Sequence, residues 1–174
     1  VTFPDDTTAE FPSGTAAGKA LQSRSAGTPG IPGGLLAARV DGRLTDLTTP
    51  LTADSRIEGV GFDSPEGRDV FRHSSSHILA EAVADLFPGT KFAIGPSIEE
   101  GFYYDFEVEK PFTPEDLERI EKRMAEIVKA NAPFVRSEMP RDEALRSFRE
   151  KGEVYKAERA DEQQPGEKAA ETGQ

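Results

Sequence analysis

FRHSSSHILAEAVADLFPGTKFAIGPSIEEGFYYDFEV, residues 71–108, carries a long helical pattern followed by two strand patterns. Phe71, Ile78, Leu79, Ala82, Val83 and Leu86 recur at helical spacing and form one broad apolar stripe. Pro88 and Gly89 close the segment, so a helix is predicted from about residue 65 to residue 87. Residues 91–98 and 102–108 are strand candidates, joined through Glu99, Glu100 and Gly101. In the second strand Phe102, Tyr104, Phe106 and Val108 share one face, while Tyr103, Asp105 and Glu107 share the other.

Downstream, Thr113-Pro114-Glu115-Asp116 is a helix start, and Leu117, Ile120, Met124, Ile127 and Val128 give the helix an apolar face as far as about Asn131. A short strand is predicted around residues 134–138. A third helix opens at Pro140, turns Ala144, Leu145 and Phe148 inward and stops at Gly152. Val154-Tyr155-Lys156 is read as a last strand. From Arg159 the sequence is polar, without large apolar residues, and disorder is expected.

Upstream, Ser64 precedes a proline and an acidic first turn, which marks the start of the long helix and a domain boundary. Before it lie short strands around one weak helix. Asp5-Asp6 suits a turn between residues 2–3 and the Phe11 region. Asp41-Gly42 is a type I′ signal between residues 36–40 and 44–47. A helix is predicted over residues 15–26, stopped by the Pro/Gly run at 28–34, and a final strand over residues 57–62. The order strand, strand, helix, strand, strand, strand describes a small α+β unit of the β-grasp kind.

The composition fits this α+β reading: 36% hydrophobic, 30% charged, with 16 Gly and 13 Pro to make turns. No apolar run approaches the roughly 18 residues a membrane span needs. The first residues, VTFPDDTTAE, lack the basic and apolar regions of a secretory signal, so a cytoplasmic location and no membrane partner are expected. The absence of cysteine excludes disulfides, thiolate nucleophiles and cysteine metal ligands from these 174 residues. A net charge of -11 disfavours non-specific attraction to a polyanion, so any RNA contact must be local.

His73 and His77 are the only histidines, and their spacing on a helix puts both rings on one face, away from the apolar stripe. Small residues around them, including Ala80 and Ala84, suit the wall of a cleft. Three readings stay open: two histidines without a role, a metal site, or a cleft. A catalytic zinc usually takes three protein ligands, and the metalloprotease pattern needs a glutamate where Ser74 stands, so no metal is assigned. Ser74, Ser75 and Ser76 read as ordinary solvated residues near a helix start. Gly95-Pro96 marks a bulge, a turn or the close approach of a ligand. Tyr104 reads as core with its hydroxyl at a polar edge, and Lys156 as a surface lysine.

Four successive segments, RHSSSHILAEAVADLFPG, KFAIGPSIEEGFYYDFEVE, FTPEDLERIEKRMAEIV and MPRDEALRSFREKGEVYKAE, resemble the editing domain of bacterial threonyl-tRNA synthetases. LAARVDGRLTDLTTPL with the strand after it resembles the ubiquitin-like TGS domain that opens those enzymes. The resemblance covers about residues 1–157 and is weakest at 15–34, where the Pro/Gly insertion departs from the family's helix. It implies a TGS domain at 1–62, a truncated editing domain at 63–157 carrying the HxxxH helix and antiparallel strands, and a disordered polar tail at 158–174.

What the resemblance implies for function is hydrolysis of serine wrongly attached to the threonine tRNA, needed because a threonine site cannot fully reject the smaller amino acid. His73 and His77 match the family's histidine pair and Lys156 a lysine of the same cleft. Gly95 and Tyr104 match positions lining the aminoacyl-adenosine pocket. The family completes the cleft with a later segment carrying an aspartate, a cysteine and a histidine. Here the pattern stops just after Lys156, so this chain by itself is expected to be inactive. ATP and zinc would belong to a class II catalytic core outside the chain, leaving no cofactor expected within it, and the partner implied is the acceptor end of tRNA(Thr). Partial exposure of Leu117, Ile120 and Phe148, with self-association to cover them, is also expected. A stand-alone TGS-containing binding module with a degenerate editing fold is the competing reading; an active trans-editing hydrolase is a third.

Overall fold

A computed structural model describes residues 1–24, 34–93, 95–134, 138–150 and 152–162, and divides the chain into two units, Val1–Arg72 and His73–Gln174. The first unit contains β1 (Thr15–Ala16), α1 (Ala17–Arg24), β2 (Ala37–Val40), β3 (Arg43–Thr45), β4 (Pro50–Leu51) and β5 (Ile57–Val60). Asp41 and Gly42 both take positive φ, 49° and 80°, the backbone a type I′ turn requires. That turn sets Val40 opposite Arg43, and β5 pairs on the other edge of β2, giving an antiparallel sheet of order β3-β2-β5. Asp41 also closes onto β5, its carboxylate accepting from the Arg56 amide at 2.8 Å. The expected N-terminal hairpin is an isolated bridge, Thr2 to Thr8, around an Asp6 with φ 61°.

Ala17 and Ala20 on α1 are buried with Phe3, Ala38, Leu51 and Ile57. Small alanines let the helix lie close to its neighbours, so this core is built from backbone proximity more than from large side chains. The helix expected from residue 15 begins two residues later, because Thr15 and Ala16 pair with Leu51 and Pro50 as β1 and β4. Of the Pro/Gly stop expected at 28–34, residues 28–33 lie outside the described residues, and Gly34 takes a positive φ of 80°.

α2 (Pro65–Leu86) runs through the division between the units. It starts as its sequence dictates: Pro65 sits in the first turn, and the Ser64 hydroxyl oxygen accepts from the Gly67 amide at 3.0 Å. Gly67 has no room for a side chain, since an added Cβ would stand 1.8 Å from the Gly61 carbonyl oxygen. Phe71 departs from its expected place in the buried stripe; it is 49% exposed and meets Phe62 edge-on at 5.3 Å.

The second unit adds β6 (Lys91–Phe92), β7 (Ser97–Ile98), β8 (Gly101–Phe102), β9 (Phe106–Glu107), α3 (Pro114–Ala130), α4 (Arg141–Glu150) and α5 (Val154–Glu162). Each of the two long strands expected is divided, and the pieces pair antiparallel as β6 with β9 and β7 with β8. Gly95-Pro96 lies at the break, where proline cannot donate to a ladder. The alternation over 102–108 holds: Phe102, Tyr104, Phe106 and Val108 are half-buried while Tyr103, Asp105 and Glu107 are exposed.

Ala82 and Val83 of α2 are buried against Ile120 of α3, with Leu79, Leu86, Phe92, Phe106, Met124 and Ile127 around them. A full capping box at Thr113 and Asp116 opens α3. Ile120 and Ile127 lie within about 20° of each other on the helix, whereas Leu117 and Val128 fall about 80° to the side. Accordingly Ile120 is buried, against the expectation that it would be partly exposed, and Leu117 and Val128 are 58% and 60% exposed. Phe148 is half-buried, as expected.

α4 ends in a Schellman motif. Gly152 has φ 71°, its amide donates to the Arg149 carbonyl at 3.2 Å, and the Glu153 amide donates to the Phe148 carbonyl at 2.9 Å. The chain leaves this turn directly into α5, so residues 154–156 are helical and not the strand expected, and the polar residues 158–162 continue that helix. Ala157, buried against α4, decides the matter: packing along one helical face outweighs the local β preference of a Val-Tyr pair. Most of the strand expected at 134–138, and the tail from residue 163, lie outside the described residues. Among the described residues no helix is long and apolar enough to cross a membrane.

Replacing Ser64 with alanine should lower unfolding free energy by about 1 kcal/mol through loss of the cap. Gly67→Ala should cost more, about 3 kcal/mol, although alanine is the better helix former, because the new methyl meets a carbonyl. Urea unfolding of both variants followed by circular dichroism checks the order.

Candidate functional site

His73 and His77 stand one turn apart on α2, and their Nε2 atoms are 3.1 Å from each other with the rings perpendicular. A contact of this kind needs one nitrogen to donate and the other to accept. Both rings are half-buried.

Ser76, read from the sequence as solvated, is 1% exposed, and its hydroxyl donates to the His73 carbonyl at 2.7 Å. Its position explains this: at helical spacing Ser76 continues the line of Leu79 and Val83, so it belongs to the packed face. The hydrogen bond to the preceding turn satisfies its hydroxyl without a partner elsewhere. Among the described residues no group of three His, Asp or Glu side chains is placed to hold a metal ion.

Gly95 and Tyr104 come together, while Lys156 is held by Glu153, which with Glu107 is one of two residues the sequence reading missed. A Cβ on Gly95 would lie 2.3 Å from Cδ2 of Tyr104, so the glycine's missing side chain makes the seat for the Tyr104 ring. Tyr104 stacks on Phe106 with centroids 4.9 Å apart and planes 10° from parallel, and meets Phe92 edge-on at 6.2 Å. Burial pushes the Tyr104 phenol above its ordinary pKa, and the negative charge of Glu153 adds to the shift. Glu153 in turn accepts from the Lys156 ammonium at 3.1 Å.

Beside this, Glu107 takes the Lys91 ammonium at 2.5 Å and also accepts from the Tyr155 hydroxyl. One carboxylate thus joins β6, β9 and α5, and Lys156 is the next residue along α5. The Lys91 hydrogen bond, and after it that of Tyr155, holds the Glu107 carboxyl below the usual glutamate range. Neither Glu107 nor Glu153 carries a local signal. The i,i+3 spacing of Glu153 and Lys156 becomes legible only once residues 154–162 are known to be helical.

No family model matches the chain. The relatives that align along nearly all of it are aminoacyl-tRNA ligases. They are threonine--tRNA ligases: that of Symbiobacterium thermophilum is 48% identical over 156 residues, covering 90% of this chain and 24% of the relative. The threonine--tRNA ligase of Desulforamulus reducens is 45% identical over 158 residues, 91% of this chain and 24% of the relative. That of Nitratidesulfovibrio vulgaris is 51% identical over 150 residues, 86% and 23% respectively. The resemblance to bacterial threonyl-tRNA synthetases is thereby borne out, and the chain spans about a quarter of the length of these curated relatives.

Gly95→Ala should expel the Tyr104 ring from its stack and cost about 1–3 kcal/mol, read as a lowered urea midpoint and shifted Tyr104 ring resonances. A pH effect follows from Glu107. Its carboxyl is lowered in the folded chain, so its contribution to stability is present above the ordinary glutamate value of 4.5 and is lost as pH falls through the lowered folded value. Acid titration of Glu107→Gln should show a shallower loss of stability below that value than the unsubstituted chain.

Proposed function

We propose that this chain is the part of a threonine--tRNA ligase that carries a TGS unit, of the ubiquitin-like β-grasp kind, and a share of the editing site that removes serine from mischarged tRNA(Thr). The observation that carries the reading is the 3.1 Å contact between His73 and His77 Nε2 atoms on α2, in a chain about half identical to such ligases over nearly its whole length. The place of action on this reading is the cytoplasm, and the partner is the acceptor end of the tRNA.

The chemistry required is ester hydrolysis. Water attacks the seryl carbonyl carbon, the bond from that carbon to the ribose oxygen breaks, and serine leaves a free hydroxyl on the terminal adenosine. Three tasks fall to the enzyme: to place the water, to take its proton, and to stabilise the oxyanion that forms. An imidazole of the histidine pair suits the first two. The Lys156 ammonium suits the third, and Tyr104 offers a hydroxyl and a ring edge to the adenosine. Serine needs this second site because a synthetic pocket shaped for threonine gains too little from one methyl group to exclude it.

A non-hydrolysable mimic, serine joined to 3′-amino-adenosine through an amide, tests the reading directly. Titrated into the chain, it should shift the His73, His77 and Tyr104 resonances together. Replacing both histidines with alanine should weaken its binding at least about tenfold while leaving the unfolding midpoint nearly unchanged, as for cleft-lining side chains. Loss of several kcal/mol of stability would assign the rings to the core, and an absence of mimic binding would sink the editing reading.

A further inference from the structure

Lys156 lies at the third position of α5, and what fixes its ammonium is Glu153, the residue at which the Schellman turn passes into the helix. The Glu153 backbone is held at both ends: its amide donates to the Phe148 carbonyl at 2.9 Å, and its carbonyl accepts from Ala157 at 3.0 Å. Its carboxylate therefore starts from a fixed point. Side-chain exposures of 25% for Glu153 and 29% for Lys156 leave the pair partly withdrawn from water, where holding one geometry costs less competition from solvent. Tyr155, between the two, donates its hydroxyl to Glu107 of β9. Burial, and after it the charge of Glu153, raises the Tyr104 phenol's pKa.

We propose that Glu153 is a positioning residue of the candidate site: its carboxylate holds the Lys156 ammonium in one place along the first turn of α5. The inference rests on the editing reading for the use to which Lys156 is put, and on geometry alone for the contact. A lysine has four rotatable bonds and an ammonium without directional preference, so an unheld Lys156 would spread its charge over many positions. An oxyanion is stabilised by a cation that is already in place when the charge develops, since moving it then costs reorganisation. An i,i+3 pair of this kind adds too little to folding to explain itself by stability. Its effect is on where the charge stands.

The test uses the whole chain with lysine and tyrosine side chains labelled for NMR. In the unsubstituted protein the two Lys156 ε-protons should be inequivalent, as in an ordered side chain. Glu153→Ala should average them, Glu153→Asp should restore part of the inequivalence, and Lys156→Met assigns the signal. Tyr104, identified with Tyr104→Phe, should ionise at lower pH in Glu153→Gln than in the parent. Equal Lys156 order in parent and Glu153→Ala, with an unmoved Tyr104 midpoint, overturns the proposal. Helix content by circular dichroism identifies a variant that has lost α5, in which case Glu153→Gln, which keeps the shape and removes the charge, decides. The readout needs no turnover and no bound mimic, so failure of the editing reading and failure of the Glu153 contact are seen separately. With the contact established, Glu153→Gln should weaken binding of a seryl phosphonate of adenosine, whose anionic oxygen mimics the oxyanion, about tenfold; unchanged affinity would overturn the positioning role.

Discussion

The pairing of Phe92 with Phe106 across β6 and β9 is the constraint on which the second unit depends. Only two residues of each strand take part, yet their register decides which side chains face the helices and which face water. Phe106 meets Phe92 edge-on and stacks with Tyr104, and Phe92, Phe106 and Phe112 pack against the core of α2 and α3. The next pair in the same register is Lys91 with Glu107. A slip of one residue would turn Glu107 inward and Phe106 outward, removing the core and the anchor for α5 at once. The ring packing and the Glu107 network are thus two faces of one register.

The histidine pair is placed by a different logic. α2 commits Ser76, Leu79, Ala82 and Val83 to packing, and the two histidines fall on the far side of that stripe by helical periodicity alone. No loop has to be closed to bring them together, because the 3.1 Å contact is built into an i,i+4 spacing. Tyr104 and Lys156, by contrast, are 52 residues apart in the chain and depend on the β6–β9 register, the Gly95 seat and the Glu107 clamp. One half of the candidate site is local and the other is tertiary, and their sensitivity to substitution should differ accordingly.

That difference also explains what was legible in the sequence. Asp41-Gly42, Ser64-Pro65, Thr113 with Asp116, and Gly152 each encode a turn or cap through their own backbone preferences, and each is found where it was expected. The histidine contact was legible for the same reason. α5 was not, because Val154 and Tyr155 favour strand locally while the helix is decided by the burial of Ala157 against α4. Ser76 was misread because a serine inside an apolar stripe looks polar, although a bond to the preceding carbonyl makes its burial inexpensive. Glu107 and Glu153 gain meaning only from partners that folding brings to them.

Electrostatics restricts what such a site can read. A net charge of -11 disfavours non-specific attraction of a phosphate backbone, and Lys91 and Lys156 each stand against a carboxylate. At physiological ionic strength a charge is felt over only about 8 Å. Attraction of an RNA by a basic surface is therefore not what these clusters offer. They offer short-range contacts: an imidazole pair, two ammoniums each held by a carboxylate, a phenol and an aromatic stack. On the editing reading, specificity would then come from hydrogen bonds at the aminoacyl end, while the bulk of the tRNA is held elsewhere in the ligase.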